Sequence, residues 1–473
     1  MKFKQRIRRF LVVSTAAIML TGSLAACGGD TENTTKPTTT TTPSTTEPLE
    51  SRSEVKRLSD LAAHLSIGKD DTLPAEFLTT RSASTSEASD LLASIQAFTQ
   101  TSFKLMAERK EETNLLMSPL SLYLDLAMLA EGTAGNTRTE IVDALAAELN
   151  ADGNFLEQYR AEMTSLLTGM NMSRGEFSMR AGQSLWFRPD IPIRDSYIDT
   201  LSAGYLAEVY HADFAKGATV VQDELDNWVS DKTEKLIETL GIQVKPDDVF
   251  YLLQTLYFKD AWLSQFTKDN NSEGDFIGPD GSTKTTTFMN QNMTASWGMR
   301  TEDFQAAELI TEQGFSVRFI LPNEVLDLDS ILALDNVYES LFSDHNITQS
   351  TDLWSPGWSI DWSVPKFDVF GRIDLMDLLN DMGISDVMGP NADFSVAADV
   401  EPGTYNLSAA VQQVRIKVDE KGIEAAAVTV LGVSESAIIV NDEMDMILDR
   451  PFLFTVTTPS GLPMFISYVG DVG

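Results

Sequence analysis

The stretch V-D-E-K-G-I-E-A-A-A-V-T-V-L-G-V-S-E-S-A-I-I-V, residues 418–440, has the composition of a segment that can be strand or loop. Drawn out as a strand, it places Ile423, Ala425, Ala427, Thr429, Leu431 and Val433 on one face, and none of them is charged. The opposite face carries Glu424, Ala426, Val428, Val430 and Gly432. That pattern suits a strand with one side on a core. Gly422 and the alanine triplet argue the other way, because small side chains pack weakly and glycine loses the most backbone entropy on ordering. A plain edge strand also accounts for the pattern.

The surroundings mix helices and long strands. Upstream, Val249–Leu253 and Leu256–Phe258 form a mostly apolar run, as expected of a central strand buried on both faces. In F-S-V-R-F-I-L-P (315–322) the alternation puts Phe315, Val317, Phe319 and Leu321 on one side. Downstream, R-P-F-L-F-T-V and L-P-M-F-I-S-Y-V read as a final strand pair around the turn T-P-S-G (458–461). Nearer the N-terminus, Leu91, Leu92, Ile95, Phe98, Phe103, Leu105 and Met106 share half of a helical wheel. A second helix is expected over 121–130, stopping near Gly132. Helices early and strands late favour an α+β fold over a doubly wound one.

Composition narrows the function. The chain has 473 residues, 35 Lys and Arg against 70 Asp and Glu, and 43% apolar residues, so it can bury a sizeable core. A net charge of −35 argues against nucleic acid, heparin-like polymers and anionic membrane surfaces, all of which require basic patches. One cysteine excludes an intrachain disulfide and a cysteine metal site. The three histidines, His64, His211 and His345, leave little for zinc chemistry and read as surface or structural residues. There is no G-x-S-x-G, H-E-x-x-H, phosphate loop or EF-hand loop. No catalytic residue, cofactor or metal is expected, and an enzyme is the weakest reading.

The N-terminus reads as an address. Lys2, Lys4, Arg6, Arg8 and Arg9 precede an apolar run from Phe10 to Leu20, too short to span a bilayer comfortably. The L-A-A-C-G-G that follows (24–29) resembles the bacterial lipobox and contains the sole cysteine, Cys27. An ordinary secretory signal with an incidental cysteine is the alternative. Cleavage before Cys27 removes five basic residues and no acidic one, leaving 30 against 70 and a net charge of −40. Residues 31–48 hold ten threonines and three prolines, a composition that stays extended as a tether. The expected organisation is a signal peptide (1–26), a lipidated cysteine with its tether (27–50), a poorly structured extension (51–88) and one large domain (89–473). Within the extension, Val55, Leu58, Leu61, Ala62 and Leu65 suggest a short amphipathic helix.

Seven motifs, in order, then point to one family. V-D-E-K-G-I-E-A-A-A (418–427) resembles the reactive-loop hinge of inhibitory serpins, and D-R-P-F-L-F-T-V (449–456) their C-terminal signature. N-L-L-M-S-P-L-S-L (114–122), A-E-G-T-A-G-N-T-R-T-E-I (130–141), N-W-V-S-D-K-T (227–233), L-Y-F-K-D-A-W (256–262) and V-P-K-F (364–367) are similar too. The resemblance covers residues 90 to 473 and implies a serpin fold: a large mixed β-sheet, further sheets, a helical bundle and an exposed reactive-centre loop near the C-terminus. It implies a monomer that traps a target serine protease covalently. The protease cuts the loop, forms its acyl-enzyme, and is dragged some 50 Å as about sixteen loop residues insert as a strand.

The resemblance also assigns residues. The hinge is Glu420, Lys421, Gly422, Ile423, Glu424, Ala425, Ala426 and Ala427, with Ile423 where the family usually has Thr or Ser. Counting from Glu420 puts the scissile bond at Ser436–Ala437, with Ser434, Glu435 and Ile438 as alternatives. Small residues there suit elastase-like or subtilisin-like proteases. A hydrogen-bonded shutter under the sheet is expected from Ser118, Ser121, Gln254 and Gln412, the two amides replacing the family's Asn and His. Without a histidine, opening is expected to be indifferent to pH between about 5 and 8. The alternatives are a non-inhibitory serpin and an exported solute- or protein-binding lipoprotein. In every case the chain is expected outside the cell, held to the lipid membrane through Cys27 alone.

Overall fold

The computed structural model describes residues 55–59, 86–109, 113–146, 154–342, 354–423 and 442–473. Along the chain the first elements are β1 (Val55–Arg57), α1 (Ser86–Ala107), β2 (Asn114–Met117), α2 (Pro119–Ala130), α3 (Gly135–Leu145) and α4 (Phe155–Gly169). Next come β3 (Asn171–Arg174), β4 (Phe177–Phe187), α5 (Asp195–Tyr205), β5 (Glu208–Ala212), α6 (Phe214–Lys232), β6 (Phe250–Ala261), β7 (Ser272–Ile277) and β8 (Thr283–Arg300). Then follow β9 (Phe304–Ile310), β10 (Ser316–Pro322), α7 (Leu328–Leu332), α8 (Val337–Phe342), β11 (Ser355–Pro365), β12 (Phe367–Asp374) and α9 (Leu375–Asp381). The last strands are β13 (Ala409–Val418), β14 (Gly422–Ile423), β15 (Asp442–Ile447), β16 (Phe452–Thr457) and β17 (Pro463–Val469).

Two sheets organise these elements. The first runs β1-β5-β4-β6-β14-β13-β12, with β3 attached to β4; the second runs β15-β11-β8-β9-β10-β16-β17-β2, with β7 attached to β8. The apolar run at 249–258 becomes β6, flanked on both sides and buried at eleven of its twelve positions. Leu252, Leu256 and Phe258 face the main core with α1 and α2, while Tyr251 and Leu253 face a second cluster under α6. The helices at 86–107 and 119–130 and the strand pair β16/β17 fall where the periodicity predicts them.

Phe315, Val317, Phe319 and Leu321 are buried, and so are all seven residues of β10. Arg318 among them is fully enclosed, with Glu308 Oε2 at 3.3 Å and the Trp354 ring 5.0 Å beneath its guanidinium. The helix expected through Val55 and Leu58 is instead a strand at Val55–Arg57, because the open edge of β5 offers hydrogen bonds that a short isolated helix lacks.

Candidate functional site at the β6–β13 seam

The site lies where β6 and β13 meet. Over the lower part of the seam they pair directly and in parallel, from Ala409↔Tyr251 to Val414↔Leu256. Higher up they part, and β14 fills the gap, antiparallel to both: Gly422↔Ala261, Ile423↔Asp260 and Val418↔Ile423. Four of the eight expected hinge residues, Glu420 to Ile423, are therefore placed. Glu424, Ala425, Ala426 and Ala427 lie outside the described residues. So do Ser434, Glu435, Ser436, Ala437 and Ile438, as well as Cys27, His64 and His345.

Chemistry makes the hinge turn tight. Asp419 N–H donates to Gly422 O at 3.0 Å, and Gly422 N–H donates back to Asp419 O. A Cβ on Gly422 would stand 2.1 Å from Asp260 O, so only glycine lets the turn press against β6. Trp262, one residue past the end of β6, reads the turn, donating through its backbone N–H to Lys421 O at 2.7 Å and through Nε1 to Asp419 O at 2.9 Å. Glu420 takes Lys366 Nζ and Asn271 Nδ2, each at 2.6 Å. Burial alone would raise the Glu420 carboxyl, but the Lys366 ammonium, its own backbone N–H and the Asn271 amide outweigh that and hold it below the usual carboxylate range.

Ile423 is fully buried, so the first residue of the uncharged face already sits in the core. Beside it is Asp260, 1% exposed, whose carboxylate accepts from Ala261 N–H at 3.0 Å and Gln313 N–H at 3.1 Å. Burial pushes the Asp260 carboxyl up to about 6, and the charge on Glu312 adds to this against the bonds from Thr311, Gln313 and Ala261. The expected indifference to pH overlooked this group, because an acid inside a strand reads as a solvent-facing residue.

Lower in the seam, the structure brings Ser118, Ser121, Gln254 and Gln412 together, none more than 1% exposed. Gln412 Nε2 donates to Gln254 Oε1 at 2.8 Å and to Ser118 O at 2.9 Å, while Ser118 N–H donates to Gln412 Oε1 at 2.8 Å. Ser118 Oγ donates to Ser121 Oγ at 2.9 Å. A third amide went unnoticed in the sequence. Gln183 on β4 is the register partner of Gln254, so Gln183, Gln254 and Gln412 form one row across the sheet. Neither polar atom of Gln183 has a hydrogen-bond partner among the described residues. Nothing but strand register could have located it. His211 lies elsewhere, half-buried at the sheet edge, its imidazole lowered mainly by desolvation. No group of three or more metal-ligating side chains occurs among the described residues.

Comparison with known proteins agrees with this geometry. A family profile described as "Serpin (serine protease inhibitor)" matches residues 93–472. A serine protease inhibitor of Cyanea capillata is 27% identical over 372 residues, covering 76% of this chain and 92% of that protein. Among solved structures, Serpin48 of the insect Tenebrio molitor superposes with a TM-score of 0.70 at 23% identity, covering 82% of this chain and all of that one. Human thyroxine-binding globulin complexed with thyroxine also gives 0.70, at 22% identity and 80% and 98% coverage.

Proposed function

The chain belongs to the serpin family, and we propose that it is an irreversible suicide-substrate inhibitor of serine proteases of the elastase or subtilisin type. The observation that carries this reading is the register of β14. Continuing Gly422↔Ala261 and Ile423↔Asp260 down β6 pairs each following residue with the one before, and continuing Val418↔Ile423 does the same along β13. Both ladders place Thr429 opposite Gln254 and Gln412, which already face each other. The two registers agree, so one strand fits both edges without a bulge. β6 begins at Phe250, opposite Val433, so its twelve residues accommodate the stretch 422–433 of the roughly sixteen loop residues expected to insert.

Side chains support the same register. On insertion in that register, Ala425 and Ala427 would fall against Phe258 and Leu256 on the main core side, where a charge would be stranded. Glu424 would fall on the other face between Lys259 and Lys417, 17% and 42% exposed. The only charge in the inserting stretch thus meets two cations at the rim.

Trapping follows from ordinary acyl-enzyme chemistry. The protease serine oxygen bonds to the carbonyl carbon of Ser436, the amide to Ala437 breaks, and Ala437 leaves as an amine carrying the proton. Insertion of the freed strand then outruns hydrolysis of the ester. On this reading the native state stores the free energy for this, because β6 and β13 still pair directly from Tyr251 to Leu256 where the strand would enter. Mixing the protein with subtilisin or pancreatic elastase should give an SDS-stable adduct and a released peptide beginning at Ala437. Cleavage with no adduct would contradict inhibition and favour a carrier role like that named for thyroxine-binding globulin. Ser436→Arg should redirect trapping toward trypsin-like enzymes.

The same reading extends to location: an exported monomer anchored by lipid on Cys27, its body held off the membrane by the Thr-rich tether. Support comes from the basic, apolar and L-A-A-C-G-G segments. Cys27→Ser should release the protein from membranes, and undiminished membrane association would refute the anchor.

A further inference from the structure

At the far edge of the first sheet, one carboxylate gathers an unusual set of partners. β1 pairs antiparallel with β5 through Val55↔Ala212, Lys56↔His211 and Arg57↔Tyr210. Leu58 N–H extends the ladder to Val209 O at 2.7 Å, and Val209 N–H donates to Ser59 Oγ at 3.0 Å. Val55 is 1% exposed and joins the apolar cluster under α6. Arg57 Nη2 stands 3.0 Å from Oε1 of Glu208, which is 6% exposed. The same carboxylate receives Lys232 Nζ at 3.2 Å, the Tyr210 hydroxyl at 3.1 Å and the Nε1–H of Trp228. Lys232 and Trp228 belong to α6, so Glu208 bolts that helix to β5. Burial alone would raise the Glu208 carboxyl; the charges of Lys232 and Arg57 reverse this and keep it ionised.

From there α6 reaches across the seam. Its cluster includes Tyr251 and Leu253 of β6 and Val411 of β13. The chain that follows is tied to β13 directly: Gln413 Nε2 donates to Leu240 O and Arg415 Nη1 to Leu236 O, each at 2.8 Å. By register, Val430 of an inserting loop would pair with Leu253 and Val411, beneath this cover. Admitting one strand separates β6 from β13 by about 4.8 Å. A cover bonded to both sides of that gap has to release one of them.

We propose that Arg57 is a positioning residue for loop insertion: through Glu208 it holds α6 on the β5 side of the sheet and so restrains residues 236–244 from leaving β13 before the loop is cut. The proposal rests on the insertion reading above. Removing Arg57 leaves a desolvated carboxylate with one cation instead of two, which weakens every bond it makes to α6. The helix then rocks, its tie to β13 loosens, and the seam opens without cleavage. A strand of three residues at the sheet edge thereby controls a gap three strands away.

The test uses the full chain with Arg57→Glu and, as the conservative variant, Arg57→Lys. Arg57 is one-third exposed, so neither change perturbs the core. Hydrogen exchange followed by mass spectrometry should show residues 214–244 exchanging about fivefold faster in Arg57→Glu, the scale of losing one partner. The helices α2 and α3 should exchange as before. Spontaneous conversion to an uncleaved, heat-resistant form on warming should quicken by a similar factor, and Arg57→Lys should restore both. Unchanged exchange over 214–244 would overturn the proposal, as would equal acceleration in α2 and α3. Faster exchange over 214–244 with no heat-resistant form in any variant would uphold the role of Arg57 and refute the insertion reading instead.

Discussion

The lower part of the β6–β13 seam is shut by direct strand pairing over an uncharged row, in which Gln412 binds Gln254 and both backbone groups of Ser118. The upper part is held apart by Gly422 and Ile423, next to a carboxylate buried in the protein. Below, opening means breaking hydrogen bonds whose partners are then left in an apolar core. Above, the strand is already nucleated, and the next residue can add to an existing ladder. On the proposed reading, the contrast implies that insertion is limited by propagation through the amide row rather than by entry of the hinge. It also says that the two parts respond to different perturbations, the lower to lost hydrogen bonds and the upper to crowding and charge.

The largest effect should come from poisoning propagation while leaving nucleation intact. Ala427→Arg places a guanidinium between Leu256 and Val414, which are 2% and 0% exposed. An unpaired charge there costs several kcal/mol by order of magnitude, so the moles of inhibitor consumed per mole of protease trapped should rise by more than about tenfold. Ala425→Arg should act alike. Cleaved wild-type protein should melt far above the intact form, and that gap should shrink in both variants. Normal trapping by both would break the comparison, since the lower seam would then not be on the path.

Gln412→Leu removes the β13 end of the amide row and leaves Ser118 N–H, Ser118 O and Gln254 Oε1 without this partner. Ser118 O still accepts from Leu122 N–H, so two groups are stranded, and at roughly 1–3 kcal/mol for each the native form should lose about 4 kcal/mol in a urea titration. Spontaneous loop uptake should accelerate, because the closed seam no longer holds. A loss under about 1 kcal/mol would show that strand pairing alone keeps the seam closed. Gly422→Ala tests the upper part: the new Cβ meets backbone that is itself in the ladder, so β14 should leave the gap. Overpacking of this kind typically costs about 1–3 kcal/mol, and trapping should slow by about tenfold or more as nucleation is lost.

Much of this was legible before the fold was known. Long apolar runs identify β6 and the β16/β17 pair, because a strand buried on both faces carries apolar residues at most of its positions. The uncharged alternation from Ile423 onward is visible for the same reason. Three things were hidden, each for a physical cause. Gln183 is a lone amide in a mixed strand, and only the β4–β6 register sets it opposite Gln254. Residues 55–57 are too few to show a period, and the open edge of β5 decides their conformation. Asp260 looks like a surface acid within L-Y-F-K-D-A-W, and its burial depends on the turn around Thr311 to Gln313 that folds over it.

That last residue yields the smallest effect and the one that most sharpens the contrast. The carboxyl of Asp260 is raised from 3.8 to about 6 in the folded protein, chiefly by burial. A group raised on folding contributes stability that is fully present below its unfolded pKa and is lost as pH rises through its folded one. The native form should therefore lose about 2 kcal/mol between roughly pH 4 and pH 7 through this group alone, a shift of two units at about 1.4 kcal/mol each, discounted for neighbouring donors. Other acids titrate in the same range, so the measurement is a difference: unfolding free energy of the wild type minus that of Asp260→Asn, followed from pH 4.5 to 8. It should fall with rising pH and level off above about 7. The glutamine row carries no titrating group, so Gln412→Leu should shift the whole profile without changing that difference. A flat difference would mean that Asp260 keeps an ordinary acidity and that both parts of the seam are electrostatically silent. A difference that rises with pH would mean that the N–H donors of Ala261 and Gln313 overcompensate burial, making the carboxylate a brace for the hinge turn instead of a source of its instability.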